Sequence, residues 1–319
     1  MPTPPERPRD DSLQILLGTY DGETYLTELL DSIVAQTHRG WSLTVRDDGS
    51  RDGTLAIAQD YARHHPERIV VTGRQSPSGS AARNFLELVA ASTARYVMLA
   101  DQDDVWLPDK IEVTLAAMRD LEARLGPGVP ALVHTDLTVT DADLHVIERS
   151  MVRSQALDGD ESRLGALVTQ NPVTGCTVMV NRALADLVTP PFDDVAMHDW
   201  WLAIIAAAFG GLAFVGRPTV LYRQHGSNAV GARSVRTLRY KVARALDRDG
   251  VVESLRASYA QAGAFLEHYR SRLAADQVAL LDAAASMPRR GRLSRLRSLR
   301  RYGLWKNTLI KRVGQVLYG

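Results

Sequence analysis

The stretch that most constrains this chain is Tyr96-Val97-Met98-Leu99-Ala100-Asp101-Gln102-Asp103-Asp104-Val105-Trp106-Leu107-Pro108-Asp109. An apolar run of strand formers delivers three carboxylates within four positions, and Pro108 then opens a helical pattern from about Lys110. Carboxylates this crowded repel one another. A divalent cation such as magnesium or manganese relieves the repulsion and also takes phosphate oxygens as ligands. The same residues suit an ordinary acidic helix start, because Asp is favoured at an N-cap and in the first turn. The remaining chain has to separate a metal-diphosphate site from a cap.

The pattern upstream is a strand at Leu13 to Gly18, a helix at Gly22 to Gln36, and a strand at Trp41 to Val45. A helix from Asp52 to about His65, a strand at Arg68 to Thr72, a polar loop at Gly79 to Asn84 and a helix at Phe85 to Ala91 follow. Strands that alternate with helices predict an α/β fold with a mainly parallel sheet covered on both faces. Ligands in such sheets bind beyond the carboxyl ends of the strands, where these polar turns fall. Downstream, a helix from Lys110 to about Leu125, a strand at Ala131 to Thr135 and strand-like segments at Thr174 to Val180 and Leu212 to Val215 are expected, with Thr140 to Leu157 irregular. From about Ser234 the pattern is helical only, which places a boundary close to Gly231.

Three further polar segments fit a ligand site. Gly18-Thr19-Tyr20 after the first strand lacks a glycine-rich phosphate cradle, but Thr19 and Tyr20 can face a base or ribose. Asp47-Asp48-Gly49-Ser50 after the second strand offers a carboxylate for the imide N–H of uracil or thymine, with Asp52 or Thr54 as a helix cap. Met197-His198-Asp199-Trp200-Trp201 places an acid beside two indoles, where partial desolvation raises its proton affinity and a flat ring can stack on a sugar. Each segment taken alone also reads as a turn, a cap or core.

As a set and in this order, these segments resemble the family 2 glycosyltransferases of the GT-A fold over about residues 13 to 230. Arg83-Asn84-Phe85, the wording of Asp101 to Lys110 and His198-Asp199-Trp200-Trp201 are similar to the rhamnosyltransferase-like branch, which uses dTDP-L-rhamnose. The resemblance implies a Rossmann-like, mainly parallel mixed sheet with helices on both faces. It also implies a manganese or magnesium ion and a nucleotide-diphosphate sugar donor, dTDP- or UDP-linked. It would put Thr19, Tyr20 and Asp48 on the base and ribose with Asp47 as neighbour, and Arg83 toward the diphosphate or base. Asp101 would lie toward ribose or sugar, and Asp103 on the metal with His225 of Tyr222 to Asn228 completing the shell. Arg223 would meet the diphosphate or form an ion pair, Asp199 would act as catalytic base, and Thr174 and Gly175 would line the acceptor pocket. The family usually carries Glu-Asp where this chain has His198-Asp199.

Charge separates the tail from the body. Residues 288–319 hold ten Lys or Arg and no Asp or Glu, so the rest, with 28 basic against 37 acidic residues, nets −9. Arginines interleaved with Leu293, Leu296 and Leu299 suit either an anionic membrane surface or a helix packing its leucines on the catalytic domain. A nucleic acid partner is not expected, given the acidic body and the lack of a recognition fold. A single cysteine, Cys176, excludes an internal disulfide and reads as a small core residue.

The expected organisation is a disordered opening at 1–12, a nucleotide-sugar transferase domain at 13–231 and a helical region at 232–319 ending in the basic amphipathic tail. The expected location is the cytoplasm, with the tail as a peripheral hold on the inner face of the cell membrane. The function expected is inverting, metal-dependent transfer of L-rhamnose to a hydroxyl of a cell-surface glycan or lipid-linked acceptor. The alternatives are a galactosyl- or glucosyltransferase using a UDP-sugar and an inactive nucleotide-sugar-binding scaffold at the membrane.

Overall fold

The computed structural model describes residues 12–73, 77–126, 128–225 and 248–318. The expected disordered opening, apart from Ser12, and the boundary near Gly231 lie outside the described residues. The first half runs β1 (Leu13–Thr19), α1 (Leu26–Val34), β2 (Trp41–Asp47), α2 (Thr54–His64), β3 (Ile69–Gly73), α3 (Ala81–Ala91), β4 (Tyr96–Asp101), β5 (Val105–Trp106) and α4 (Lys110–Leu125). Next come β6 (Ala131–Thr140), β7 (Val146–Glu148), α5 (Met151–Ser154), α6 (Leu164–Thr169), β8 (Val178–Asn181), α7 (Arg182–Ala185), α8 (His198–Phe209) and β9 (Gly211–Arg223). The C-terminal helices are α9 (Arg248–Tyr269), α10 (Ala275–Ala285), α11 (Arg292–Tyr302) and α12 (Leu309–Tyr318).

The strands form one mixed sheet in the order β3-β2-β1-β4-β8-β6-β9-β5, with β7 added to β6. Strands β3, β2, β1 and β4 are mutually parallel, as alternation with helices predicts. Strand β8 runs antiparallel to both β4 and β6. Strand β9 lies parallel to β6, and β5 pairs antiparallel with β9 through Val105 with Leu221 and Trp106 with Val220. This last pairing folds the chain after the carboxylate turn back against the end of β9.

Burial on both faces explains the unbroken apolar strands. Along β1, Ile15 and Leu17 join Leu26, Leu30, Ile111 and Met118 of α1 and α4 on one face. Leu16 joins Phe85, Trp201, Ile204 and Phe265 of α3, α8 and α9 on the other. The C-terminal helices thus share the second core with the strand layer. Among the described residues, no helix is long and apolar enough to cross a membrane.

Two local expectations are corrected. Helix α3 starts at Ala81 inside the segment read as a polar loop, because the Ser80 hydroxyl accepts the Arg83 N–H at 3.2 Å and caps it. The strand expected from Thr174 begins only at Val178, after a one-turn helix at Gly175–Thr177.

Helix α6 seats the C-terminal region closely. A β-carbon at Gly165 would lie 2.1 Å from the Tyr302 carbonyl oxygen at the end of α11. Gly165→Ala must push the two backbones apart. The expected loss is about 1–3 kcal/mol, read by thermal or urea unfolding, and an unchanged midpoint would refute the close seating.

Candidate active site

The carboxylate turn lies at the carboxyl end of β4. The Asp103 carboxylate meets His225 Nε2 at 2.9 Å, and both side chains keep some exposure. One hard oxygen and one imidazole nitrogen therefore face the same point, a donor set that fits manganese or magnesium. Asp101 lies between two other acids. Burial, Asp103 and Asp199 together push its carboxyl up to about 7, while Lys110 opposes them. The sequence segments carrying Asp101, Asp103, Asp199 and His225 thus converge on one cleft.

Beneath that point the chemistry changes. Oxygens of Asp101 and Asp104 and the Cys176 sulfur come within 4.8 Å of one another, but Asp104, Cys176 and Lys110 are fully buried. Lys110 Nζ sits 4.7 Å from the centre of the Trp106 ring, without a hydrogen-bond partner. Burial pushes Lys110 down to about 8 and pushes Asp104 well above its ordinary range, so both moves reduce buried charge. Burial and the two acids also push the Cys176 thiol well up. A protonated thiol and an ammonium group beside these acids do not fit a second metal, since a metal needs its ligands deprotonated.

Arg223, the last residue of β9, is the clamp of this region and is buried. Its guanidinium donates to the carbonyls of Asp103 and Ala142, pairs with Glu28 and lies 4.4 Å over the Tyr25 ring. Its N–H also reaches an Asp104 oxygen at 3.3 Å. Of the two roles considered, the ion pair is the one observed. Tyr25 in turn packs against the His225 ring at 4.8 Å between centroids, which steadies the imidazole. Ser227 and Asn228 of this segment lie outside the described residues.

The loops after β1 and β2 are tied to each other, and this corrects two assignments. Thr19 is 1% exposed, and its hydroxyl donates to Asp47 at 3.1 Å rather than facing a ligand. Asp47 is buried too, accepting from the N–H groups of Gly49 and Ser50 and from the Ser50 hydroxyl. Both are consumed in building the turn. Asp48 sits beyond them, with its oxygens accepting from the Ser78 N–H at 2.7 Å and hydroxyl at 2.6 Å. Tyr20 is 51% exposed at the rim. Asp52 accepts the Thr54 N–H at 3.0 Å from just ahead of the Gly53 N-cap of α2. Arg83 points to Glu87 at 2.9 Å and Asp193 at 3.2 Å, so its charge is engaged by two acids.

Across the cleft, Asp199 lies in the first turn of α8 and is buried. It accepts from the Asn171 amide at 3.1 Å, from the Trp200 N–H at 2.6 Å and from the Gly175 backbone. Burial outweighs these bonds and pushes it up to about 6. His198 stacks on Phe85 at 4.4 Å, and burial pushes it down to about 4, so it is neutral at physiological pH. Trp201 does not face the cleft. It is 1% exposed and packs with Phe265 and Tyr269, because the helix is apolar all round and this position faces α9. Trp200 is half-buried and donates its indole N–H to the Leu167 carbonyl at 2.6 Å. Thr174 and Gly175 lie at the one-turn helix, with Gly175 against the His198 ring.

Sequence reasoning missed Gln102, Lys110, Asn171 and Ser78. The Gln102 amide accepts from the Tyr20 N–H and donates to its carbonyl, each at 2.9 Å, so it stitches the first loop to the carboxylate turn. The glutamine lies inside the acidic motif, which was the available signal. The partners of Lys110, Asn171 and Ser78 are distant in sequence and left none.

An α/β sheet with a carboxylate turn faced by an imidazole, and a further carboxylate across the cleft, is the architecture of a GT-A transferase. Residues 15–128 match the family described as Glycosyl transferase family 2, and the chain is a glycosyltransferase carrying that domain. It is similar to the dTDP-rhamnosyl transferase RfbG of Shigella flexneri, with 26% identity over 238 residues, 70% of this chain and 77% of that one. It is also similar to the putative teichuronic acid biosynthesis glycosyltransferase TuaG of Bacillus subtilis strain 168, with 29% identity over 203 residues, 62% of this chain and 73% of that one. Its fold is similar to S. aureus TarS 1-349 in complex with UDP-GlcNAc, at a TM-score of 0.55 and 15% identity over 96% of this chain and 89% of that one.

Lys110 is expected to hold the buried acids in place. Lys110→Met should cost about 3 kcal/mol near neutral pH. It should cost less below about pH 6, where Asp101, raised to about 7, is already protonated. Urea unfolding at the two pH values reads the difference, and an equal loss at both would remove the lysine from this role.

Proposed function

We propose that this glycosyltransferase is inverting and metal-dependent and moves L-rhamnose from dTDP-L-rhamnose to a hydroxyl of a cell-surface glycan or lipid-linked acceptor. The observation that supports it most is the meeting of Asp103 and His225 Nε2 at 2.9 Å beyond the carboxyl end of β4. Similarity to a dTDP-rhamnosyl transferase favours the rhamnosyl donor. We place the catalytic domain at 13–231 and the helical region at 232–319, with the protein in the cytoplasm against the inner face of the cell membrane.

In this reading Asp48 accepts the imide N–H of thymine, with Tyr20 against the base and Asp101 toward the ribose or sugar. Asp103 and His225 hold the cation, which when bound supplies positive charge to the diphosphate. Trp200 is the remaining candidate to stack on a sugar ring. Asp199 takes the proton of the acceptor hydroxyl, whose oxygen attacks the anomeric carbon from the face opposite the nucleotide. Asn171, Gly175 and the α8 N-terminus aim that carboxylate, and its burial keeps its basicity high enough to work near neutral pH. One displacement inverts the centre, so a β-linked donor gives an α-L-rhamnoside.

A general base must be unprotonated to act, so kcat/KM should rise with pH through about 6, the value to which burial pushes Asp199. Asp199→Asn should lower transfer by roughly a hundredfold to ten-thousandfold and erase that limb while donor binding persists. Full turnover in the variant would refute the assignment. Thermal shift with dTDP-rhamnose, UDP-galactose and UDP-glucose, each with and without manganese, tests the donor. The expected outcome is the largest metal-dependent shift with dTDP-rhamnose; a larger one with either UDP-sugar would replace rhamnose in the reading.

A further inference from the structure

The tail divides into two helices with different fates. In α11, Leu299 is buried and Leu296 packs on the core, so the threefold leucine spacing mostly serves packing. In α12 the apolar residues Leu309, Val313, Val316 and Leu317 fall at i, i+4, i+7 and i+8, one stripe of a helix. All four are exposed, Leu309 at 77% and Leu317 at 57%. The opposite side of α12 is anchored. Gln315 is buried, donates to the Leu304 carbonyl at 2.7 Å and accepts from the Lys306 N–H. The helix is therefore held rigidly with its greasy side outward.

We propose that α12 seats the protein on an anionic bilayer, with Leu309, Val313, Val316 and Leu317 in the headgroup layer and the arginines of the tail over acidic headgroups. The charge selects this occupant. Ten cations and no acid lie between residues 288 and 319, and Arg292, Arg297, Arg300, Arg301 and Arg312 are exposed. A second copy would bring the same cations face to face, because a two-fold interface pairs a surface with itself. A membrane rich in acidic lipid meets the apolar stripe and the charge together.

The position of the stripe gives the contact a purpose. Trp305 and Arg312 line the apolar face of α12 and also a polar cleft of about 150 Å³ that includes Gln170 and Pro172. Those two residues flank Asn171, whose amide holds Asp199. We place the entry of a bilayer-borne acceptor beside the α12 stripe, at the cleft lined by Gln170 and Pro172. This purpose rests on the transferase reading; the docking itself does not.

The test is sedimentation of the full chain with vesicles of phosphatidylethanolamine containing about a third phosphatidylglycerol, against vesicles of phosphatidylcholine alone. Binding is expected only to the acidic vesicles, and to weaken as salt screens the arginines. Leu309→Ser with Leu317→Ser should reduce partitioning at least tenfold without moving the melting temperature, since both side chains are exposed. Arg300→Glu with Arg301→Glu should do the same and remove most of the salt dependence. No binding by the native chain, equal binding to neutral vesicles, or an undiminished Leu309→Ser/Leu317→Ser variant would overturn the proposal. So would a concentration-dependent dimer that the leucine variant abolishes. Donor hydrolysis in vesicle-free solution separates the readings: lost vesicle binding with normal hydrolysis in the native chain sinks the docking face alone, and the converse sinks the transferase reading alone.

Discussion

Like-charge repulsion at the end of β4 is the constraint around which this molecule is arranged. Two unit charges about 4 Å apart interact by about 4 kcal/mol at an effective dielectric of about 20, and here Asp101, Asp103 and Asp104 stand within four positions. The fold answers in two layers. Below, Asp104 is sealed in with Lys110, and burial drives both toward neutrality. Above, Asp103 is turned outward to His225, where a cation can complete the balance.

The pairing of β5 with β9 makes this arrangement possible. Because Val105 pairs antiparallel with Leu221, the residues after Tyr222 run back alongside those before Val105. Arg223 then falls beside the Asp103 and Asp104 backbone, and His225 reaches the Asp103 carboxylate. Two residues of strand thus fix the register of a site whose halves are more than a hundred positions apart. Gln102 performs the matching task on the other side, binding the turn to the Tyr20 backbone. The first loop and the carboxylate turn are thereby held together.

What could be read from the sequence follows from this anatomy. Strands β1, β2 and β4 were legible because burial on both faces demands uninterrupted apolar runs, and the carboxylates were legible because three acids within four positions directly follow such a run. The bond between Thr19 and Asp47 was not legible, because a hydroxyl and a carboxylate at adjacent strand ends satisfy each other as readily as they satisfy a ligand. Two neighbouring tryptophans looked alike, yet a step of one residue on a helix turns a side chain by about 100 degrees. Trp201 therefore faces α9 while Trp200 stays at the margin. Lys110 was legible only as the start of a helix, and only the tertiary fold shows it buried.

The carboxylates on either side of the cleft stand in different surroundings. Asp103 is left partly exposed, with its carboxylate 2.9 Å from the His225 imidazole, where a cation could be shared between them. Asp199 is buried and raised to about 6, although three hydrogen bonds and a helix N-terminus stabilise its charge. Removing those bonds would leave a neutral acid unable to take a proton; removing the burial would leave a carboxylate too weak to want one. The neutral His198 beside it matters for the same reason, because a glutamate there would add a second negative charge and drive Asp199 further up. The proposed base thus shares the start of α8 with an imidazole that burial keeps neutral, in place of the glutamate usual in the family.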